Sequence, residues 1–230
     1  MVNVLITGAN RGIGLELARA YLQGGDRVFA CCRSLGSADT LNELAAASGG
    51  KLTVHAMDVG DGESIAAAAR GVGDTPIDIL INNAGILGGN PQTLDAIDFD
   101  AWMEAFKVMT IGPFRVVRTF LPNLQAAAAA KVMTVTSQLA ASTWPFGGTY
   151  AYSSAKAGVN KVMQTLALDL KGRNIAVAMI HPGWVKTDMG GAGADITPQE
   201  SAAGIRNVIG GLAMENSGKF YKWNGDIHAW

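Results

Sequence analysis

The chain predicts a doubly wound α/β fold, a parallel sheet with helices on both faces, and three observations carry that prediction. Short apolar runs alternate with segments of helical spacing along the length of the chain. The first apolar run ends in a glycine-containing turn that opens a helical segment. Nearly every group of chemistry-bearing residues falls just after one of the apolar runs, so a parallel sheet gathers these groups at one edge.

In order, buried strands are expected over residues 2–6, 27–31, 52–56, 77–81, 131–136 and 175–180. The opening run, Met1 to Ile6, is too short for the apolar region of a signal peptide and passes directly into a glycine turn. Helix-forming segments with apolar positions three and four apart begin near residues 12, 38, 61, 99, 113 and 152. The alanine run at 126–130 reads as a short helix end. The small, glycine-rich stretch 190–196 reads as a mobile lid. Strand and helix in alternation imply βαβ crossovers, with ligands bound beyond the carboxyl ends of the strands where strand order reverses.

With 230 residues, 49% hydrophobic and 16% charged, one compact domain is expected, its cofactor half at about 1–130 and its catalytic and substrate half at about 131–230. A formal net charge of −1 and the absence of a Lys/Arg run argue against nucleic acid or an anionic membrane as main partner. No apolar stretch reaches the ~18 to 20 residues of a membrane span. Cys31 and Cys32 are adjacent, which suits neither an ordinary disulfide nor metal-ligand spacing, so no metal is expected and a reducing cytoplasm fits.

Gly8, Gly12 and Gly14 lie between the first strand and first helix, where missing side chains let backbone approach a pyrophosphate at the helix N-terminus. The spacing differs from G-x-G-x-x-G, and alone it equally suits a plain tight turn. At the end of the second strand, where an acidic residue would bind a ribose diol, the chain reads Cys31-Cys32-Arg33. Arg33 with Arg11 suits a 2′-phosphate, which favours NADP(H) over NAD(H); the competing reading is two solvated surface arginines. Asp58, Asn82 and Gly85 follow the third and fourth strands and suit either cofactor contacts or caps of turns and helices.

Tyr152 and Lys156, four residues apart, fall on one helix face one turn apart. A phenol exchanges protons poorly at neutral pH unless a cation favours its phenolate, and Lys156 is such a cation. Tyr150 has Ser154 at the same offset and is a decoy. His181, alone before Pro-Gly, reads as structural.

The ordered set Thr7 to Gly14, Asn82-Asn-Ala-Gly85, Ser137, Tyr152-x-x-x-Lys156 and Pro182-Gly183 to Thr187 resembles the short-chain dehydrogenase/reductase family over essentially the whole chain. The stretch Trp184 to Gly191 is similar to the C-signal and sniffer-type carbonyl reductases within it. The resemblance implies a Rossmann-type fold with a seven-stranded parallel sheet. It implies that Tyr152 protonates a carbonyl oxygen as NADPH delivers hydride, that Lys156 binds the nicotinamide ribose and lowers the tyrosine pKa together with the oxidised ring, and that Ser137 orients the same oxygen. It further implies cofactor contacts at Gly8, Asn10, Arg11, Gly12, Ile13, Gly14, Arg33, Asp58, Val59, Asn82, Ala84, Gly85, Tyr152, Lys156, Pro182, Gly183, Val185 and Thr187. Where family members carry an asparagine that helps hold a relay water, this chain has Met109, whose thioether is a poor hydrogen-bond partner, with Thr110 beside it as a substitute.

Leu87, Trp144, Phe146, Trp184 and Met189 are expected to form an apolar pocket for a ketone or aldehyde; core packing or subunit contact would explain them equally. Apolar faces on the helices before and at Tyr152 imply a homodimer or homotetramer, since such faces often pair across subunits in this family. The alternative to an enzyme is a dinucleotide-binding signalling or scaffold protein with weak or no turnover, supported by Met109 and opposed by the intact Ser137, Tyr152 and Lys156.

Overall fold

The computed structural model describes residues 1–230. In chain order its main elements are β1 (Asn3–Thr7), α1 (Gly12–Gln23), β2 (Arg27–Cys32), α2 (Asp39–Ala47), β3 (Leu52–Ala56), α3 (Gly62–Val72) and β4 (Ile79–Asn82). There follow α4 (Phe99–Phe106), α5 (Gly112–Thr119), α6 (Leu121–Ala126), β5 (Ala130–Val135), α7 (Tyr150–Asp169), β6 (Ile175–His181), α8 (Pro198–Gly210) and β7 (Phe220–Lys222). The seven strands form one sheet in the order β3-β2-β1-β4-β5-β6-β7, every neighbouring pair parallel. Winding reverses between β1 and β4, which places the crevice beyond Thr7 and Asn82.

Strand residues alternate between two cores, as the period of two requires. Leu5, Phe29, Leu80, Val132 and Val177 point to the face covered by α3, α5 and α7. Val4, Ile6, Val28, Ile81, Met133 and Ala178 point to the face covered by α1, α2 and α8. Side chains such as Leu5, Phe29 and Leu80 are withdrawn from water, and full burial of a large apolar side chain stabilises by roughly 1.5–3 kcal/mol.

All six expected strands are present with ends within two residues of expectation. The alanine run departs from it: α6 stops at Ala126, and Ala130 opens β5 by pairing with Ile175. Sheet pairing there overrides the helical preference of alanine. α8 was not expected, although its start is a complete capping box, in which Thr197 Oγ1 accepts from the Glu200 amide at 3.2 Å and Glu200 accepts from the Thr197 amide at 2.7 Å.

Between α4 and α5 the chain widens into a π-helical turn over Lys107–Ile111, which turns the buried Met109 and Thr110 toward α7. The 190–196 segment folds back on the strand end before it: Lys186 N donates to Ile196 O at 2.9 Å and Trp184 Nε1 to Gly190 O at 2.9 Å. No helix is long and apolar enough to cross a membrane, and no three His, Cys, Asp or Glu side chains gather as metal ligands.

Candidate active site

The floor of the crevice is made of backbone. Gly8 has φ +65°, and a Cβ there would lie 2.8 Å from Ala84 Cα, so the turns after β1 and β4 meet only because Gly8 lacks a side chain. Thr7 Oγ1 accepts from the Asn83 and Ala84 amides at 3.0 and 3.1 Å, and Asn83 Nδ2 donates to the Thr7 and Gly8 carbonyls at 3.1 and 3.0 Å. Thr7 and Asn83 form this clamp from within the first and second motifs, a pairing across 76 residues that spacing along the chain does not reveal.

Gly14 is buried, and a side chain there would collide with the Gly8 carbonyl. Asn10 and Ile13 are half-buried beside it. No side chain caps the N-terminus of α1, so its first amides are free to meet an anion. These features fit a dinucleotide pyrophosphate.

The remaining cofactor candidates divide. Gly12 lies against Thr187, whose methyl would be 3.2 Å from a Cβ at that glycine, so the glycine loop and the segment after β6 close on one another. Val185 is buried, and Pro182 O accepts from Ser201 Oγ at 2.6 Å beside Gly183. Asn82 turns into the sheet, where its amide donates to Thr134 Oγ1 at 3.3 Å. Asp58 accepts from the Gly60 amide at 2.8 Å, closing a turn, and Val59 is buried, its carbonyl close against Gly112. The pair Arg11 and Arg33 is looser than expected: Arg11 makes an exposed ion pair with Asp188 at 2.7 Å, while Arg33 is exposed with no acidic partner. The glycine loop is nonetheless tied to the end of β2 by Ala9 N donating to Cys31 O at 2.9 Å, which keeps both arginines at one edge.

At the neighbouring edge, β5 and α7 bring Ser137, Tyr152 and Lys156 together. Ser137 follows β5 and is buried; its Oγ accepts from the Leu139 amide at 3.1 Å and faces the Tyr152 phenol. Lys156 Nζ lies 5.8 Å from the centre of the Tyr152 ring and donates to Val135 O at 2.8 Å. Burial pulls the Lys156 ammonium down to about 8. Burial also raises the Tyr152 phenol above its ordinary value, opposed by the Ser137 hydrogen bond. The protein's own groups therefore do not acidify the phenol.

Gly85 separates Lys156 from Met109: a Cβ at Gly85 would lie 3.6 Å from the lysine nitrogen and 3.6 Å from the methionine sulfur. Met109 thus stands beside the amine, as expected. Thr110 beside it donates its hydroxyl to Ala155 O at 2.7 Å, which leaves only acceptor positions to offer a relay water.

The first turn of α7 has no cap of its own from Thr149. Gln92, unnoticed in the sequence, supplies one by accepting from the Ala151 and Tyr152 amides at 2.9 and 3.2 Å. Tyr150 is exposed and faces Trp102, apart from the trio. His181 is buried edge-on to His228 at 5.8 Å, with its pKa lowered to about 4 chiefly by burial, which keeps it neutral.

Leu87, Trp144, Phe146, Trp184 and Met189 are all 42–64% exposed, which removes core packing as their explanation. They are apolar surface on loops, not an enclosed cavity.

The short chain dehydrogenase family model matches residues 2–195. C-signal of Myxococcus xanthus is 38% identical over 167 residues, covering 71% of this chain and 99% of its own. The structure of an NADPH-bound carbonyl reductase from chicken fatty liver superposes with a TM-score of 0.93 at 33% identity, covering 99% of this chain and 98% of that one. Carbonyl reductase Sniffer of Drosophila melanogaster superposes with a TM-score of 0.92 at 29% identity over the whole of both chains.

Proposed function

The chain belongs to the short-chain dehydrogenase/reductase family, and from that premise we propose that it is an NADP(H)-dependent reductase of a ketone or aldehyde, working in reverse on the alcohol. The observation that carries the reading is the meeting of buried Ser137 and Lys156 with half-buried Tyr152 at the sheet edge next to the glycine turn. When bound, the nicotinamide supplies the hydride. Tyr152 gives its phenolic proton to the carbonyl oxygen as the carbon is reduced. Ser137 donates a hydrogen bond to the same oxygen, holding it in line with the phenol and stabilising its developing charge. Lys156 holds the ribose hydroxyls and, as a cation, favours the phenolate left on Tyr152 until a proton returns.

The cofactor contacts in this reading are Gly8, Asn10, Arg11, Gly12, Ile13 and Gly14 at the phosphates, and Arg33, Asp58 and Val59 at the adenosine. Asn82, Ala84, Gly85, Pro182, Gly183, Val185 and Thr187 lie toward the nicotinamide. The unpaired Arg33 and the lack of a carboxylate ending β2 support NADP(H) over NAD(H), and the chicken structure holds NADPH. Leu87, Trp144, Phe146, Trp184 and Met189 would form the apolar wall met by a bulky carbonyl compound. Phe99, Met103 and Phe114, 40–70% exposed on α4 and α5, offer an apolar face for a homodimer or homotetramer. In this reading the chain is one cytoplasmic domain, its first 130 or so residues serving the cofactor.

The test is consumption of NADPH and NADH with aromatic aldehydes, diketones and quinones, wild type against Tyr152→Phe. The reading expects NADPH oxidation that falls about 1,000-fold in the variant. Cofactor binding with no Tyr152-dependent oxidation would establish the second reading, a dinucleotide-binding signalling protein. Met109 beside Lys156 and the likeness to C-signal support that alternative.

A further inference from the structure

We propose that Gln92 is a positioning residue for the reaction, coupling the loop that carries one wall of the pocket to the backbone of the tyrosine that transfers the proton. It rests on the role assigned to Tyr152 above. Gln92 is buried, and its carboxamide uses both donors and both acceptor positions: Nε2 donates to Leu87 O at 2.7 Å and to Gly89 O at 3.1 Å, while Oε1 accepts from Ala151 N at 2.9 Å and from Tyr152 N at 3.2 Å. Only one orientation of the amide satisfies all four, since a flip would turn its NH2 against two amide N–H groups and its oxygen against two carbonyls. The contact spans 59 and 60 residues of chain to α7, so it joins two parts that have no local reason to be in register.

The loop around it is fitted closely to the same helix. A Cβ on Gly88 would lie 2.9 Å from Ala105 Cβ and 3.0 Å from Ala151 Cβ, so the loop after β4 enters the angle between α4 and α7 as bare backbone. Other bonds brace the same turn of α7, with Trp102 Nε1 donating to Ser154 Oγ at 2.8 Å and Ser154 Oγ to Tyr150 O at 2.6 Å. Gln92 alone ties that turn to Leu87. A fixed amide at Tyr152 sets where the phenol stands over the crevice. A shift of about 1 Å in such a group is enough to lose on the order of 100-fold in rate.

Gln92→Met keeps the length and volume and removes every hydrogen bond, whereas Gln92→Glu keeps the two acceptor bonds and loses both donors. Asn123→Ala removes the bonds that its Nδ2 donates to the Gly73 and Thr75 carbonyls, at the amino-terminal end of the sheet away from the crevice, and so reports loss of stability alone. With an aromatic aldehyde that wild type reduces, Gln92→Met should lower kcat about 10- to 100-fold while NADPH affinity stays within about twofold. Gln92→Glu, which keeps the bonds to the Ala151 and Tyr152 amides but sets an oxygen against the Leu87 and Gly89 carbonyls, should recover only part of that kcat.

A Gln92→Met kcat within about twofold of wild type, or a loss no larger than Asn123→Ala gives at the same drop in Tm, overturns the inference. Tyr152→Phe run alongside separates the two claims: full turnover without the phenol ends the catalytic reading itself, whereas a dead Tyr152→Phe beside an unaffected Gln92→Met ends only the role of Gln92.

Discussion

The two edges of the crevice are built by opposite means. At β1 and β4 the surface is backbone, brought close by Gly8 and clamped by Thr7 and Asn83, and its side chains are mostly small or turned away. At β5 and α7 the surface is side chain, with Ser137 and Lys156 withdrawn from water, Tyr152 half-buried beside them, and all three held by bonds to strand and loop. Backbone amides can cradle any dinucleotide pyrophosphate, so preference at that edge falls to the few charges at its rim. In the proposed reading this second edge sets the reaction, so substitutions of Ser137 and Tyr152 should remove rate and leave affinity, whereas those of Lys156, which holds the ribose, should cost both.

The sharpest contrast is expected at Lys156. Lys156→Met should lower turnover about 1,000-fold and yet stabilise the fold near neutral pH. The ammonium is pulled from 10.5 to about 8 by burial, which at about 1.4 kcal/mol per unit corresponds to a penalty of up to about 3 kcal/mol in the wild type. Below pH 8 both folded and unfolded chains bind the proton and the penalty is complete. As pH rises from 8 toward 10.5 the folded chain has released a proton that the unfolded chain still holds, wild-type stability climbs, and the advantage of the variant fades. Denaturant unfolding across that range reads both curves.

Ser137→Ala should come next, lowering kcat about 100-fold at unchanged NADPH affinity, measured by steady-state kinetics and a binding titration. At the other edge Arg33→Ser should weaken NADPH about 10-fold and leave NADH unaltered. Arg11→Ser should do less, since its guanidinium is shared with Asp188. Equal losses for both cofactors would erase the division between the edges. The smallest effect is expected at Met109→Asn, a rise in kcat of a few fold from restoring a polar group beside Lys156. An unchanged variant would show that the side chain there does not matter, and a dead one that an asparagine cannot stand in that buried place.

Much of this arrangement was legible in the chain because it depends on short-range pattern. Tyr152 and Lys156 fall on one helix face by spacing alone, and buried parallel strands announce themselves as continuous apolar runs. What escaped is either too short or too distant in sequence. β7 contributes three residues, Phe220–Lys222, too few to show a pattern. Gln92 reads as an ordinary loop residue until α7 is placed against it, and Asp188 meets Arg11 across 177 residues. α8 was legible in Thr197-Pro198 and Glu200 and was passed over. The alanines at 126–130 show the reverse error, a local preference overruled by the pairing of Ala130 with Ile175.

The central claim is that the pKa of Tyr152 is brought down by the amine of Lys156 together with the positive charge that the nicotinamide carries once its hydride has gone. Ultraviolet difference titration of wild type against Tyr152→Phe isolates this one phenol, with and without saturating NADP+. The account predicts ionisation above the ordinary tyrosine range for the protein alone, where burial dominates, and a clear fall in that pKa once NADP+ is bound. A phenol that titrates at the same pH in both conditions would contradict it.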